Sequence, residues 1–219
     1  MSQNQQKQAA AEAALDFIEP GEIVGVGTGT TTNFFINALS TMKGKVGGVI
    51  ASSQLSAERL RGIGLPVLDL NQTGDLSLYV DGADEATPHL QLIKGGGGAL
   101  TREKIVASAS RKFICIIDET KLSDYLGSFP LPIEVLPMAH SLVARRLIAM
   151  GGQPTLRHDF TTDNGNVILD VQNLDLTDPL RMEAQINLLA GVVDNGLFAA
   201  RRADVLLVGS GSGVKQLTI

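Results

Sequence analysis

Ile23-Val24-Gly25-Val26-Gly27-Thr28-Gly29-Thr30-Thr31 passes from a short apolar run into an alternation of glycine and threonine. Phe34, Phe35, Ala38 and Leu39 follow at the three-to-four spacing of one helix face, so the order is strand, glycine loop, helix. Upstream, Ala9 to Ile18 is Ala-rich with helical spacing and stops at Glu19-Pro20-Gly21, which predicts a first helix. Downstream, Val46 to Ala51, Leu55 to Arg61 and Pro66 to Leu70 repeat the strand–helix–strand order. Leu76 to Val80 reads as another buried strand. A helix from the glycine run at Gly95–Gly98 to about Ala109 and a strand over Lys112–Ile117 complete the pattern. Such alternation predicts an α/β fold with an open, mostly parallel sheet.

Beyond Gly127 the texture changes. Phe129-Pro130-Leu131-Pro132 reads as a linker; Ile133–Leu136 is a strand, Ser141–Met150 an amphipathic helix, and Thr162-Asp163-Asn164-Gly165 a turn joining two strands. Asp178-Pro179 opens a further helix to about Leu189, and Val192–Phe198 is strand-like. These elements predict a second, smaller antiparallel α+β domain over 128–202. Ala203–Val208, all apolar but for Asp204, returns to the texture of the first half, so the expected first domain is 1–127 plus 203–219.

The 219 residues fit one large or two modest domains. Apolar residues at 44% and charged residues at 19% supply a core and argue against general disorder. With 18 Lys+Arg against 23 Asp+Glu, the net charge of −5 repels nucleic-acid backbones and anionic lipid, so neither nucleic acid nor membrane is an expected partner. Cys115 is the lone cysteine and no Cys/His cluster has zinc-ligand spacing, which fits a reducing, cytoplasmic setting and no metal staple. Met1–Gln8 lacks the basic-then-apolar order of a signal peptide, so export is not expected.

Three clusters carry possible chemistry. In Gly25–Thr31 the glycines let backbone approach an anion and the helix start offers N–H groups, which suits a phosphate monoester. A dinucleotide fingerprint fails at Thr30, where a third glycine belongs, and a nucleotide P-loop lacks its Gly-Lys-Ser/Thr ending. The plain alternative is a tight βα turn with a threonine cap. Asp81-Gly82-Ala83-Asp84-Glu85 follows a strand, where open α/β sheets bind ligands, and close carboxylates suit acid and base work on sugar hydroxyls. Turn chemistry or a Mg²⁺ site would use the same residues. In Lys94-Gly95-Gly96-Gly97-Gly98-Ala99-Leu100-Thr101-Arg102-Glu103-Lys104, four glycines require a sharp bend or a close approach to ligand. Glu103 falls in the first turn of the next helix, and Lys94 stands where it could meet an oxyanion. A helix-end charge and a solvated lysine are the plain alternatives. Lys121 also lies past the end of a strand, within reach of an anion. Cys115 reads as a core thiol, His89, His140 and His158 are scattered, and Ser210 and Ser212 lack a nucleophile-elbow context.

With those motifs, Phe129-Pro130-Leu131-Pro132-Ile133-Glu134-Val135, Thr162-Asp163-Asn164-Gly165-Asn166 and Ala203-Asp204-Val205, the sequence resembles the A-type ribose-5-phosphate isomerases over essentially its whole length. The resemblance implies a Rossmann-like catalytic domain, a smaller domain used in homodimer contacts, a place in the pentose phosphate pathway and no cofactor. It implies Glu103 as catalytic base, with Asp81, Asp84 and Lys94 sharing the chemistry. Substrate binding is implied for Lys7, Thr28, Gly29, Thr30, Thr31, Asp81, Gly82, Ala83, Asp84, Lys94, Gly95, Gly96, Gly97 and Lys121. Thr30 stands where relatives often carry serine, keeping the hydroxyl. The expected reaction is the interconversion of ribose 5-phosphate and ribulose 5-phosphate through an enediol. A Schiff-base lyase with Lys94 as nucleophile, and a non-catalytic sugar-phosphate sensor, are the alternatives.

Overall fold

A computed structural model describes residues 1–218. In chain order the elements are α1 Gln3–Ala13, β1 Ile23–Val26, α2 Thr30–Leu39, β2 Gly48–Ala51, α3 Gln54–Gly62, the single turn α4 Leu70–Thr73, β3 Leu76–Asp81, β4 Glu85–Ala86, β5 Leu92–Ile93, α5 Leu100–Ser108, β6 Ser110–Asp118, β7 Leu131–Val135, α6 His140–Ala149, β8 Gln153–Leu156, β9 Val167–Gln172, α7 Pro179–Asn187, β10 Val192–Asn195, β11 Leu197–Phe198, β12 Val205–Ser210 and β13 Gly213–Thr218. They sort into two compact units. Met1–Ala83, Arg102–Leu122 and the residues from 203 onward form one; Asp84–Thr101 and Ser123–Arg202 form the other.

The first unit is built on a six-stranded sheet in the order β13-β12-β6-β3-β1-β2, parallel except for the edge strand β13. From β1 the chain goes to β2 on one side and then to β3 on the other, so the winding reverses between β1 and β3. Crevices at such a switch point, at the carboxyl ends of the strands, are where open α/β sheets bind ligands. One sheet face carries Val24, Val26, Leu78, Val80, Ile114 and Ile116 against α1 and α2, through Ala10, Ala11, Phe35 and Leu39. The other face carries Tyr79 and Phe113, whose ring centroids are 5.0 Å apart. A Cβ on Gly25 would stand 2.8 Å from Val106 and 2.9 Å from the Tyr79 ring, which shows how closely α5 lies on this second face.

Several boundaries differ from the sequence expectation. The first helix starts at Gln3 rather than Ala9, because Ser2 and Gln5 exchange side-chain-to-backbone bonds in a capping box. Pro66–Leu70 is not a strand. It contributes one bridge, Val49 to Val67, and then Asp69 accepts the Asn71 N–H at 2.9 Å and turns the chain into α4. The expected strand over Val192–Phe198 is two, β10 and β11, on different sheets.

The second unit holds an antiparallel sheet, β10-β7-β9-β8, and a small one, β11-β5-β4. Leu131, Ile133, Val135, Leu169 and Val171 pack with Val143 and Leu147 of α6 and Ile186 of α7. Residues 84–101 and 123–127, expected with the first unit, group here. The reason is local pairing. Ile93 pairs with Leu197, the Lys94 N–H donates to Gly196 O at 2.9 Å, and the Glu85 carboxylate accepts the N–H groups of Gly127, Ser128 and Phe129 at 2.9–3.2 Å.

Candidate active site

In the first unit the glycine–threonine loop leaves β1 beside the end of β3. Asp81, 0% exposed, reaches back to this loop. Its Oδ1 accepts the Thr28 N–H at 2.9 Å, the Gly82 N–H at 2.7 Å and the Thr32 hydroxyl at 3.1 Å, while its Oδ2 accepts a short hydrogen bond from the Tyr79 hydroxyl. Gly27 is glycine because a Cβ there would stand 1.8 Å from the Asp81 carboxyl. From the opposite side, the Thr28 hydroxyl donates to Ser53 Oγ at 2.7 Å and lies within 3.2 Å of Ser52 and Ser56. The loop is therefore gripped by a carboxylate and a serine cluster. The N-cap of α2 is Gly29 at φ +127°, with no side-chain cap, so the threonine-cap alternative does not describe this helix. The Thr30 and Thr31 amides in its first turn are of the kind that bind anions.

α1 supplies the flank. Lys7 Nζ donates to Thr30 Oγ1 at 3.1 Å, Gln6 Nε2 to Glu119 at 2.5 Å, and Gln3 Nε2 to Asp118 at 3.3 Å. The Glu119–Lys121 turn is thus tied to α1, the helix that also sends Lys7 to Thr30 of the loop. Glu103, in the first turn of α5, is 3% exposed. Burial, then the Asp81 charge, then the Glu103 charge push the Tyr79 hydroxyl well above its usual pKa, while a hydrogen bond with Ser52 pulls the other way. Glu103 and Asp81 therefore act electrostatically on the same buried phenol.

In the second unit, Asp84 and the glycine run come together. The Gly96 N–H donates to Asp84 Oδ2 at 2.8 Å, and a Cβ on Gly96 would stand 2.6 Å from the same carboxylate. Gly95 and Gly98 have φ of +104° and +80°. Packing and turn geometry thus account for three of the four glycines, before any ligand is considered. Lys94 is 2% exposed, with Nζ 5.6 Å from the Phe198 ring centroid, so it is no solvated lysine. Glu85 is taken up by the Gly127–Phe129 amides. Arg157, which the sequence did not single out, donates to the carbonyls of Gly95 and Gly96 at 3.3 and 3.2 Å while paired with Asp170.

Tyr79, Ser52, Ser53, Ser56 and Thr32 also escaped the sequence reading. For Tyr79 a signal existed: residues two apart on a strand share a sheet face, so a tyrosine two before Asp81 had to lie beside it.

The family profile of ribose 5-phosphate isomerase A (phosphoriboisomerase A) matches residues 48–213. Ribose-5-phosphate isomerase A of Acidithiobacillus ferrooxidans is 64% identical over 208 residues, 95% of each chain. The crystal structure of ribose 5-phosphate isomerase A from Neisseria gonorrhoeae superposes with a TM-score of 0.97 at 50% identity, covering 99% of this chain and 97% of that one. A D-ribose-5-phosphate isomerase in complex with phospho-erythronic acid superposes at 0.95 with 38% identity over the whole of both chains.

Proposed function

This chain belongs to the ribose 5-phosphate isomerase A family, and from that premise we propose how its residues share the work of isomerising ribose 5-phosphate. It is an aldose–ketose isomerase. The proton on C2 of the open-chain aldose is acidified by the neighbouring carbonyl. A base that removes it leaves an enediolate, and returning the proton to C1 yields the ketose. Glu103 is the proposed base. Its burial in the first turn of α5 is the observation that carries this assignment, because a carboxylate shielded from water and placed at a helix N-terminus suits proton transfer to and from carbon.

Lys94 is proposed to hold the enediolate oxygen through its ammonium, and Asp84 to exchange protons with the sugar hydroxyls. Asp81 joins them in ring opening and in holding the loop. The phosphate is assigned to Thr28–Thr31 with Lys7 and Lys121, and Gly82, Ala83 and Gly95–Gly97 are proposed to line the sugar with their backbone. Holding a remote phosphate fixes C1 and C2 without contact at the reacting atoms. Phospho-erythronic acid, a phosphorylated four-carbon acid whose carboxylate resembles one end of an enediolate, is then expected to compete with substrate.

A cytoplasmic homodimer is also proposed. The single cysteine, Cys115, is a buried free thiol, which fits a reducing compartment, and among the described residues no helix is long and apolar enough to cross a membrane. Incubation with ribose 5-phosphate in heavy water, without added metal or nucleotide, tests the reaction by NMR. Ribulose 5-phosphate is the expected product; an unchanged aldose would overturn the assignment.

A further inference from the structure

We propose that Tyr79 is a positioning residue of the isomerisation, acting through Asp81 and without touching the sugar. The proposal rests on the assignment of Asp81 and Glu103 to the reaction. Asp81 uses its two oxygens differently. Oδ1 accepts from Thr28, Thr32 and Gly82 and so holds the loop, while Oδ2 is engaged by the Tyr79 hydroxyl.

Tyr79 is fully buried, and its ring is fixed against Phe113. Its oxygen is also hydrogen-bonded with Ser52, whose hydroxyl lies 3.2 Å from that of Thr28. The contacts close a ring: Thr28 to Ser52, Ser52 to Tyr79, Tyr79 to Asp81, Asp81 to Thr28. The phenol also feels Glu103, from the helix lying over its sheet face. Held neutral there, it places an O–H dipole against one carboxylate in the field of a second, where like charges otherwise repel. Removing the hydroxyl takes its hydrogen bond from Oδ2 but leaves the Oδ1 bonds and the serine cluster on Thr28 in place. Chemistry should therefore suffer while phosphate binding persists.

The test is Tyr79→Phe, which keeps the ring against Phe113 and so the packing. Losing a buried hydrogen bond to a charged group is expected to lower kcat for ribose 5-phosphate about tenfold or more. The KM, and the inhibition constant of inorganic phosphate, should stay within about threefold of wild type. A kcat within twofold of wild type would overturn the proposal. So would a kcat loss matched by an equal rise in KM and in the phosphate constant, which is what a collapsed loop would give. In an Asp81→Asn background the same change should cost less than threefold, since coupled residues are non-additive; a full further tenfold loss would show that Tyr79 does not work through Asp81. Wild type is assayed alongside, and absence of any conversion there would remove the isomerase assignment itself and the role of Tyr79 with it.

Discussion

Gly27 has no room for a side chain, and the reason is a carboxylate: Asp81 occupies the space a Cβ would need and so reaches the Thr28 amide. The glycines of the loop are thus as much about Asp81 as about a ligand. Glu103 is the residue whose loss should be felt most in turnover. Glu103→Gln keeps shape and removes the proposed base, so kcat should fall by roughly 10²–10⁴-fold with KM much less altered; steady-state kinetics with near-normal turnover would remove Glu103 from the proton transfer. Tyr79 also makes an alkaline prediction. Its pKa is raised in the folded state, so the unfolded chain ionises first. The stabilisation is complete below pH 10 and is lost as the pH climbs from there toward the folded-state value, at a limiting slope of about 1.4 kcal/mol per pH unit. Urea midpoints measured above pH 10 should fall more steeply for wild type than for Tyr79→Phe; equal slopes would mean that the buried phenol ionises as readily as in the unfolded chain. The motif residues were legible because carboxylates and glycines in short runs leave a mark on the sequence. The serine cluster was not. Ser52, Ser53 and Ser56 meet Thr28 only after β2 has paired with β1, and no local spacing encodes that pairing.

Elements were read best where apolar period and stop signals agree, as at β1, α2 and β3. They were misread where a side chain overrides the period: Asp69 capping α4 ended the expected strand at Pro66–Leu70, and the Ser2–Gln5 box moved the start of α1. β13 went unnoticed because its exposed, mixed sequence, Gly213–Thr218, has no buried face to pattern it. The same limit hid Arg157. From the edge strand β8's exit it pairs with Asp170 on β9 and donates to the Gly95 and Gly96 carbonyls, so it fixes the run that follows Lys94 to the four-stranded sheet. Arg157→Ala removes charge-assisted bonds worth about 2 kcal/mol and should loosen that run. Hydrogen exchange followed by mass spectrometry should show faster exchange in the peptide spanning Gly95–Gly98, with kcat/KM reduced. Unchanged protection would mean that turn geometry alone holds the glycines.

At the scale of the molecule, the chain passes between the two units inside its own motifs, at Ala83–Asp84 and at Thr101–Arg102. That is why the expected division, 1–127 plus 203–219 against 128–202, differs from these units at 84–101 and 123–127, although the parallel sheet and the antiparallel one were both foreseen. The second unit also carries an apolar surface that its own core does not use. β10 is an edge strand of the four-stranded sheet. Around it Met138 is 94% exposed and Leu188 85%, with Leu136 and Val193 also open to solvent. These residues are neighbours in the fold, since the Leu136 N–H donates to Gly191 O at 2.9 Å and Val192 pairs with Val135. An apolar patch beside an edge strand is costly to leave in water and prone to unwanted pairing, and a symmetric contact with a second copy removes both problems at once. The proposed homodimer is therefore placed on this surface. Met138→Glu with Leu188→Glu sets like charges against each other across a two-fold axis, where each residue meets the same patch of its partner. Sedimentation equilibrium should give a dimer for wild type and a monomer for the double variant, with the circular dichroism spectrum preserved. A double variant that remains dimeric would move the contact to another face, and a monomeric wild type would end the dimer proposal.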